Sequence, residues 1–283
     1  MELDSGFARA WLGLSDSYRH LGSWWGDWPP RKAVPLAKEA MARALQLDSS
    51  LAEAHGSLGW IHFVFDWDWA KAEAEFQRGV ELNPYARDLC SPYANFLRRM
   101  NRLEEARLQI ERCIETDPLS PLEVSEAARV HMDMGEPAKA VPLLERLLAT
   151  TPDNRATLLG LGQYYANMDK LDQAIQYFEK ASNTTRRDRL GLPTLGFTYA
   201  RAGRSGDVRK ILDTLLTTPE IAQGAIAQLY VSLGDKEQGI RWWQKAYEER
   251  DPRMVWLRTY SADHLLWADP RFQDLIRRMN FPK

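Results

Sequence analysis

Residues 158–180 read LLGLGQYYANMDKLDQAIQYFEK, and this stretch predicts two antiparallel helices joined by a short turn. Leu158 and Tyr165 are seven residues apart, and Ala174 and Phe178 are four apart, so each pair lies on one face of a helix. Small residues beside them would let the two helices approach closely, while the large side chains fill the space between. The stretch therefore predicts a helical hairpin.

The same hairpin recurs along the chain. Pro84, Pro118 and Pro152, each placed to end a second helix, are spaced 34 residues apart. One alanine position of the second helix recurs in step, at Ala37, Ala72, Ala106, Ala140 and Ala174. A period of this length is typical of arrays in which each hairpin packs on its neighbours.

The repeated pattern resembles the tetratricopeptide repeat, whose signature is W-x₂-L-G-x₂-Y, then A-x₃-F, then P. The resemblance covers nearly the whole chain. It implies an all-α fold, a right-handed α-solenoid of about seven helical hairpins with a C-terminal capping helix. We predict an array over residues 1–252 and a capping segment over 253–283. The expected repeats lie near residues 8–49, 52–84, 87–118, 121–152, 155–186, 189–219 and 220–251.

Three segments narrow the resemblance: the tryptophan- and proline-rich turn at 24–30, the turn DWDWA at 66–70, and the closing helix at 269–279. Together they resemble the C-terminal arrays of bacterial winged-helix regulators, serine/threonine kinases and nucleotide cyclases. Residues 3–5 (LDS) also match the helix end at 47–49, so we expect the chain to begin in the last turn of a missing helix. The resemblance thus implies the sensor or adaptor part of a larger bacterial signalling or regulatory protein.

The charge balance and the lack of targeting segments indicate which classes of partner and which cellular compartment to expect. With 37 basic and 39 acidic residues, the net charge of −2 provides no chain-wide field to hold nucleic acid or an anionic membrane. The N-terminal residues lack a signal-peptide pattern, and no apolar run reaches the ~18 residues of a membrane span. We expect a cytoplasmic protein. Its two cysteines, Cys90 and Cys113, fall at core positions and are expected to be inert free thiols.

The sequence predicts neither an enzyme nor a cofactor-binding or metal-binding protein. His55 and His62 occupy repeat positions and have no third ligand, and the chain contains no CxxC spacing and no glycine-rich phosphate loop. Nothing supplies a nucleophile together with a base and an oxyanion donor.

In the family that the chain resembles, the first helices line a concave face on which a peptide lies. The corresponding residues come five, eight and nine positions after the start of each motif. They include Arg19, Trp60, Phe63, Asn95, Arg98, Arg99, Arg129, Met132, Gln163, Asn167, Phe197 and Arg201. We expect Arg98, Arg99 and Arg129 to attract an acidic peptide, and Trp60 and Phe63 to anchor it.

The sequence therefore predicts a non-catalytic protein–protein interaction scaffold that binds a protein or peptide partner, and neither nucleic acid nor membrane directly. The alternative is a homo-oligomerisation module, a homodimer formed through the tryptophan-rich turns or the first hairpin. The placement of the tryptophan side chains distinguishes the scaffold from the homodimer. They either pack between neighbouring turns or form an exposed platform for a second copy, and they are Trp24, Trp25, Trp28, Trp67 and Trp69. Packing is the interpretation that we favour.

Overall fold

The fold is described from a computed structural model, which covers residues 6–23, 26–182, 191–217, 222–258 and 265–282. Every regular element in these ranges is helical. Seven hairpins follow one another along the chain: α1 (Ala8–Leu21) with α2 (Pro30–Leu47), α3 (Ala52–Ile61) with α4 (Trp69–Leu82), α5 (Arg87–Arg99) with α6 (Leu103–Thr116), α7 (Pro121–Asp133) with α8 (Pro137–Thr150), α9 (Arg155–Asn167) with α10 (Leu171–Ser182), α11 (Gly191–Arg201) with α12 (Ser205–Leu216), and α13 (Gln223–Ser232) with α14 (Lys236–Glu248). The predicted all-α array of about seven hairpins is confirmed.

Three further elements depart from the simple hairpin. A π-helical turn, His62–Asp66, follows α3, and a 3₁₀ turn, Pro252–Trp256, follows α14. The last helix is α15, Pro270–Met279, which starts at the N-cap Asp269 with a proline in its first turn. Its apolar stripe, predicted from the sequence, is buried at Phe272, Leu275 and Met279.

Close approach of the paired helices explains the small residues of the repeat. A Cβ atom on Gly162 would lie 2.5 Å from the ring of Phe178, and one on Gly59 would lie 2.9 Å from the ring of Phe76. The recurrent alanines face the same crowded seam and are fully buried, at Ala37, Ala72, Ala106, Ala140 and Ala174. The small residues that recur about every 34 positions thus lie where the two helices of each hairpin are in contact.

In the second to seventh hairpins, the turn between the two helices uses one left-handed residue. Glycine serves in three hairpins, with φ of 76° at Gly135, 74° at Gly203 and 86° at Gly234. Asn101 and Asp169 do the same in two others, at φ of 58° and 57°. The second hairpin is the exception, because Trp67 takes the left-handed conformation there, at φ of 58°.

The helices form two compact units, and each is discontinuous in sequence. Unit 1 contains residues 1–93, 220–224 and 240–283, whereas unit 2 contains residues 94–219 and 225–239. In unit 2, one core cluster joins Ala128 and Leu144 of the fourth hairpin to Leu161 of the fifth. In unit 1, the core brings the beginning and the end of the chain together.

The tryptophan turn of the second hairpin provides that contact. The indole N–H of Trp69 donates to the carbonyl oxygen of Met279 at 3.2 Å, and its ring stacks on Phe281 with centroids 5.2 Å apart. The ring of Trp67 lies 5.0 Å from that of Tyr247. Packing is therefore confirmed for Trp67 and Trp69, both of which are buried. Trp28 is half-buried beside Tyr18, and Trp24 and Trp25 lie outside the described residues.

The structure also bears on the expected redox state of the cysteines and on the expected absence of a membrane-spanning helix. Cys90 and Cys113 do lie in the core, but both are disulfide-bonded and neither is a free thiol, so the expectation of free cysteines was wrong. A core position is compatible with either redox form, so burial alone does not decide between them. In the described ranges, no helix is both long and apolar enough to cross a membrane.

Candidate protein-binding surface

The predicted inner-face residues of unit 2 lie on the first helices of successive hairpins, and side-chain contacts link one helix to the next. Arg98 of α5 donates from Nη2 to Asp133 Oδ2 of α7 at 2.7 Å. Asn167 of α9 approaches Met132 of α7, with 3.8 Å between Nδ2 and Sδ. The structure therefore brings α5, α7 and α9 together as one row of mainly polar side chains.

The row continues to α11. Arg201 donates from Nη2 to Asp169 Oδ1, in the turn after α9, at 2.9 Å. Phe197 is half-buried, whereas Arg201 is exposed. Gln163, one turn before Asn167 on α9, donates from Nε2 to Asn167 Oδ1 at 2.8 Å. These side chains are held by their neighbours and still reach solvent.

A buried ion cluster fixes the α5–α7 end of the row. Arg98 donates from Nη1 to Glu126 Oε1 at 2.7 Å, and the two side chains are only 5% and 3% exposed. Arg129 donates to the other carboxylate oxygen of Glu126 at 3.0 Å. Burial alone would raise the pKa of the Glu126 carboxyl, but Arg98 and Arg129 outweigh it and hold that pKa below its usual range. The carboxylate therefore stays ionised inside the fold.

This cluster corrects the predicted role of Arg98. Its guanidinium is buried and its charge is matched by Glu126 and Asp133, so it offers no free donor edge to a partner. Arg129, whose side chain is 28% exposed, also bonds Glu126 but remains in contact with solvent, and Arg99 is half-buried. Two carboxylates thus offset much of the positive charge expected from the three arginines.

Glu126 was missed because the prediction used only the positions five, eight and nine after each motif start. Asp133 lies at position nine but was left out of the predicted set. Glu126 comes two positions after its motif start, and this position is buried in some hairpins but exposed in the first, at Gly13. A carboxylate at a buried position signals an ion pair, because an unpaired buried charge is costly. The burial of Glu126 and its pairing with Arg98 are seen only in the structure.

Asn95 adds an unsatisfied acceptor on α5. Its Oδ1 atom is shielded from solvent and accepts no hydrogen bond within the described part of the chain. A buried carbonyl oxygen without a donor is uncommon in folded proteins, since it forfeits its hydrogen bond to water. Asn95 is therefore the member of the row with the clearest unused hydrogen-bonding capacity.

The inner-face residues predicted in unit 1 are placed differently. Trp60 is 6% exposed and Phe63 is fully buried, with their rings 5.5 Å apart, so the predicted peptide anchor is core. Phe63 also packs on Trp69, at 6.0 Å between centroids. Phe63 lies in the π-helical turn His62–Asp66, where the α-helical spacing assumed in the prediction does not hold, and Trp60 is buried with its ring against that of Phe63.

Arg19 is occupied locally. Its Nε donates to Asp16 Oδ1 at 3.2 Å, and the same carboxylate oxygen accepts from Ser57 Oγ at 2.8 Å. The hydrogen bond from Ser57 to Asp16 links α3 to α1. The Arg19 side chain is only slightly exposed. Within the described ranges, no group of three or more His, Cys, Asp or Glu side chains is arranged to hold a metal ion.

Comparisons with known proteins agree with this architecture. Residues 131–192 match the tetratricopeptide repeat family. No curated protein matches the sequence of the chain. The matched segment contains α8, α9 and α10, so it includes one of the helices that form the row.

Solved structures share the fold over longer stretches. PilW, a widely conserved type IV pilus biogenesis factor, is 18% identical, with a TM-score of 0.55 over 75% of this chain and 93% of its own. PilF of Pseudomonas aeruginosa is 16% identical, with a TM-score of 0.50 over 96% of this chain and 97% of its own.

A thermophilic tetratricopeptide-repeat protein of Thermus thermophilus is 22% identical, with a TM-score of 0.51 over 71% of this chain and 97% of its own. At these identities the likeness concerns the fold alone. Tetratricopeptide repeats generally serve as interaction scaffolds without catalytic activity. Residues 131–192 thus match the tetratricopeptide repeat, and the hairpin fold of the chain is shared with these structures.

Proposed function

We propose that the chain is a non-catalytic scaffold that binds a protein segment along the first helices of unit 2, on α5, α7, α9 and α11. The observation that carries this proposal is the row of mainly polar side chains on these helices, with contacts between α7 and α9 and from α11 to the turn after α9. It comprises Asn95, Arg99, Arg129, Met132, Gln163, Asn167, Phe197 and Arg201.

The chemistry of the row suits an extended peptide. Amides such as Gln163 and Asn167 offer both donors and acceptors to a peptide backbone. Arg129 and Arg201 keep partly exposed guanidinium groups, which favour acidic residues in the partner. Met132 supplies an adaptable apolar contact between them.

The biological setting is part of the same proposal. We place this scaffold in the sensor or adaptor part of a bacterial signalling or regulatory protein, without direct contact with nucleic acid or membrane. The cytoplasm is the compartment that the sequence favours, whereas disulfide-bonded cysteines are more typical of oxidising compartments. Fractionation of cells that produce the chain, with thiol labelling of Cys90 and Cys113, tests the compartment directly.

Site-specific photocrosslinking tests the binding surface. A photoreactive amino acid replaces Met132 on the row in one variant and Lys139, an exposed residue of the second helix of the same hairpin, in the matched control. We expect a discrete crosslinked partner from position 132 alone, and its loss when Arg129→Gln and Asn167→Ala are added. Equal crosslinking from both positions would contradict the proposal.

The homodimer alternative now rests on the first hairpin. Trp67 and Trp69 are buried within the chain, so they leave no platform for a second copy. Phe7, at the start of α1, keeps 53% of its surface exposed and could serve such an interface. Light scattering over a dilution series decides this: a dimer that dissociates in Phe7→Ser supports it, and a monomer at every concentration excludes it.

A further inference from the structure

Unit 1 holds several of its exposed cations against aromatic rings. The guanidinium of Arg250 lies 4.1 Å from the ring of Trp67, and that of Arg278 lies 4.0 Å from the ring of Tyr247. The two rings are themselves 5.0 Å apart, and Arg250 also lies 6.0 Å from the ring of Tyr247, so both guanidinium groups approach one aromatic pair. Such contacts fix the plane of each guanidinium.

Two more cations belong to the same region. Arg258 lies over Phe281, at 5.7 Å, and donates to the carbonyl oxygen of Pro282. Lys32 lies over Trp28, at 3.8 Å, and its chain neighbour Arg31 forms an ion pair with Glu249 beside Arg250. We call these four residues, Lys32, Arg250, Arg258 and Arg278, the stacked-cation patch.

The charges of the patch are weakly compensated. Lys32, Arg250 and Arg258 have no carboxylate within ion-pair distance among the described residues. Arg278 has only a 3.6 Å contact with Asp274, which is held more tightly by Arg277. Two glutamates precede Arg250 in the chain. Glu249 forms an ion pair with Arg31, whereas Glu248 has no ion pair among the described residues. The patch therefore presents excess positive charge.

The arginines also keep unused hydrogen-bond donors. Arg250 is exposed and donates one hydrogen bond, from Nη1 to the carbonyl oxygen of Asp66 at 3.5 Å. A guanidinium has five N–H donors in a rigid fork that matches a carboxylate. Stacking holds that fork in place before a partner arrives, which lowers the entropic cost of binding.

We propose that the stacked-cation patch binds an extended, acidic protein segment, with carboxylates meeting Arg250 and Arg278. The two guanidinium carbons lie 6.0 and 4.0 Å from the centroid of Tyr247, so their separation cannot exceed the sum of these distances. Alternate side chains of an extended strand project to one side about 6.6 Å apart. The spacing of acidic residues at alternate positions of the segment lies within this limit.

An acidic protein fits this surface better than a nucleic acid. Proteins that hold single strands expose aromatic faces on which bases stack. Here Trp67 is buried, and the face of Tyr247 lies beneath a guanidinium. The net charge of −2 on the whole chain also works against a long polyanion.

Fluorescence polarisation with the full chain at low ionic strength tests the proposal. The probes are a labelled peptide with glutamate at alternate positions, its glutamine counterpart, and a single-stranded oligonucleotide of equal charge. We expect the glutamate peptide alone to bind, Arg250→Gln and Arg278→Gln each to weaken it about tenfold, and Arg250→Lys to retain part of the affinity because charge without the fork remains.

The control is Arg43→Gln, an exposed arginine of unit 1 that bonds Gln46 and not an aromatic ring. Lys32→Gln serves as a second test variant, because its exposed side chain can be altered without touching the Trp67 cluster. Unchanged affinity in the Arg250→Gln/Arg278→Gln and Lys32→Gln variants overturns the proposal, as does equal binding of the glutamine peptide or of the oligonucleotide. Arg129→Gln in unit 2 should leave this binding unchanged, which separates it from the surface proposed above.

Discussion

Trp69 and Met279 are 210 residues apart in the chain, yet the indole N–H of one donates to the backbone carbonyl of the other at 3.2 Å. This hydrogen bond and the stacking of Trp69 on Phe281 tie the second hairpin to the end of the chain. The tryptophan turn at residues 66–70 therefore forms part of the core of unit 1.

Trp69→Ala should destabilise the protein strongly. The change removes a buried ring and leaves the Met279 carbonyl without its donor, and buried Trp to Ala changes cost about 3–5 kcal/mol. Urea unfolding followed by circular dichroism measures the loss. Trp242→Ala is the control, since Trp242 is half-buried and carries only the Lys245 contact within its own helix. Similar losses in both variants would contradict a special role for Trp69.

Glu126→Ala should cost about 3–5 kcal/mol, because it leaves the buried Arg98 guanidinium with Asp133 alone. The exposed pair Arg78–Glu81 provides the comparison, and Glu81→Ala should change the free energy of unfolding by about 0–1 kcal/mol. Replacing both partners, as Arg98→Met with Glu126→Leu, should recover much of the loss. A double variant no more stable than Glu126→Ala would argue against this account.

His55 should make stability depend on pH. Its Nδ1 lies 2.7 Å from Glu75 Oε2 and its Nε2 lies 3.0 Å from the carbonyl oxygen of Ser49, so both nitrogens face acceptors and favour the protonated ring. The hydrogen bond to Glu75 is the main cause that raises the pKa of His55. This contribution is complete below the unfolded pKa of about 6.5 and is lost as pH rises through the higher folded value.

The measurement is the free energy of unfolding against pH for the wild type and for His55→Gln. As pH rises, the free energy of unfolding should decrease less in the variant than in the wild type. The difference between the two curves is needed because burial lowers the pKa of His20, whose contribution has the opposite sign. Parallel curves for the two proteins would show that His55 does not carry the effect.

Two glycines should respond to alanine in opposite directions. Gly162→Ala forces a Cβ to 2.5 Å from the Phe178 ring and should destabilise by about 1–3 kcal/mol. Gly206, in the first turn of α12, has nothing within 4 Å of an added Cβ, so Gly206→Ala should stabilise by about 0.5–1 kcal/mol. Thermal unfolding midpoints of the two variants compare them directly. A neutral Gly162→Ala would mean that the ring shifts freely.

The hairpins could be predicted because each repeats a local contact with a fixed spacing. Gly162 against Phe178 is a relation within one hairpin, so small and large residues record it in sequence. The left-handed turns were visible in the same way where glycine occupies them, as at Gly135 and Gly203. Trp67 in that position gives no such signal, because nothing in its residue type favours the conformation.

The candidate surface was harder to predict. Phe63 lies in a π-helical turn, where the α-helical spacing used for the prediction does not apply. Arg98 is paired with the buried carboxylate of Glu126 and is therefore not available to a partner. The contact of Trp67 with Tyr247 joins residues far apart in the chain, so no periodic pattern encodes it. Local spacing therefore predicted the helices, and tertiary partners decided which side chains remain available.

The pairing of Trp69 with Met279 has a consequence for synthesis on the ribosome. Trp69 is made 210 residues before Met279, so its ring emerges well before Met279 and Phe281, which contact it. Unit 2 lies between them in sequence, so nearly all of it can fold while the aromatic turn is still uncovered. We expect nascent chains arrested before residue 270 to expose this turn to chaperones, and release of the completed chain to bury it.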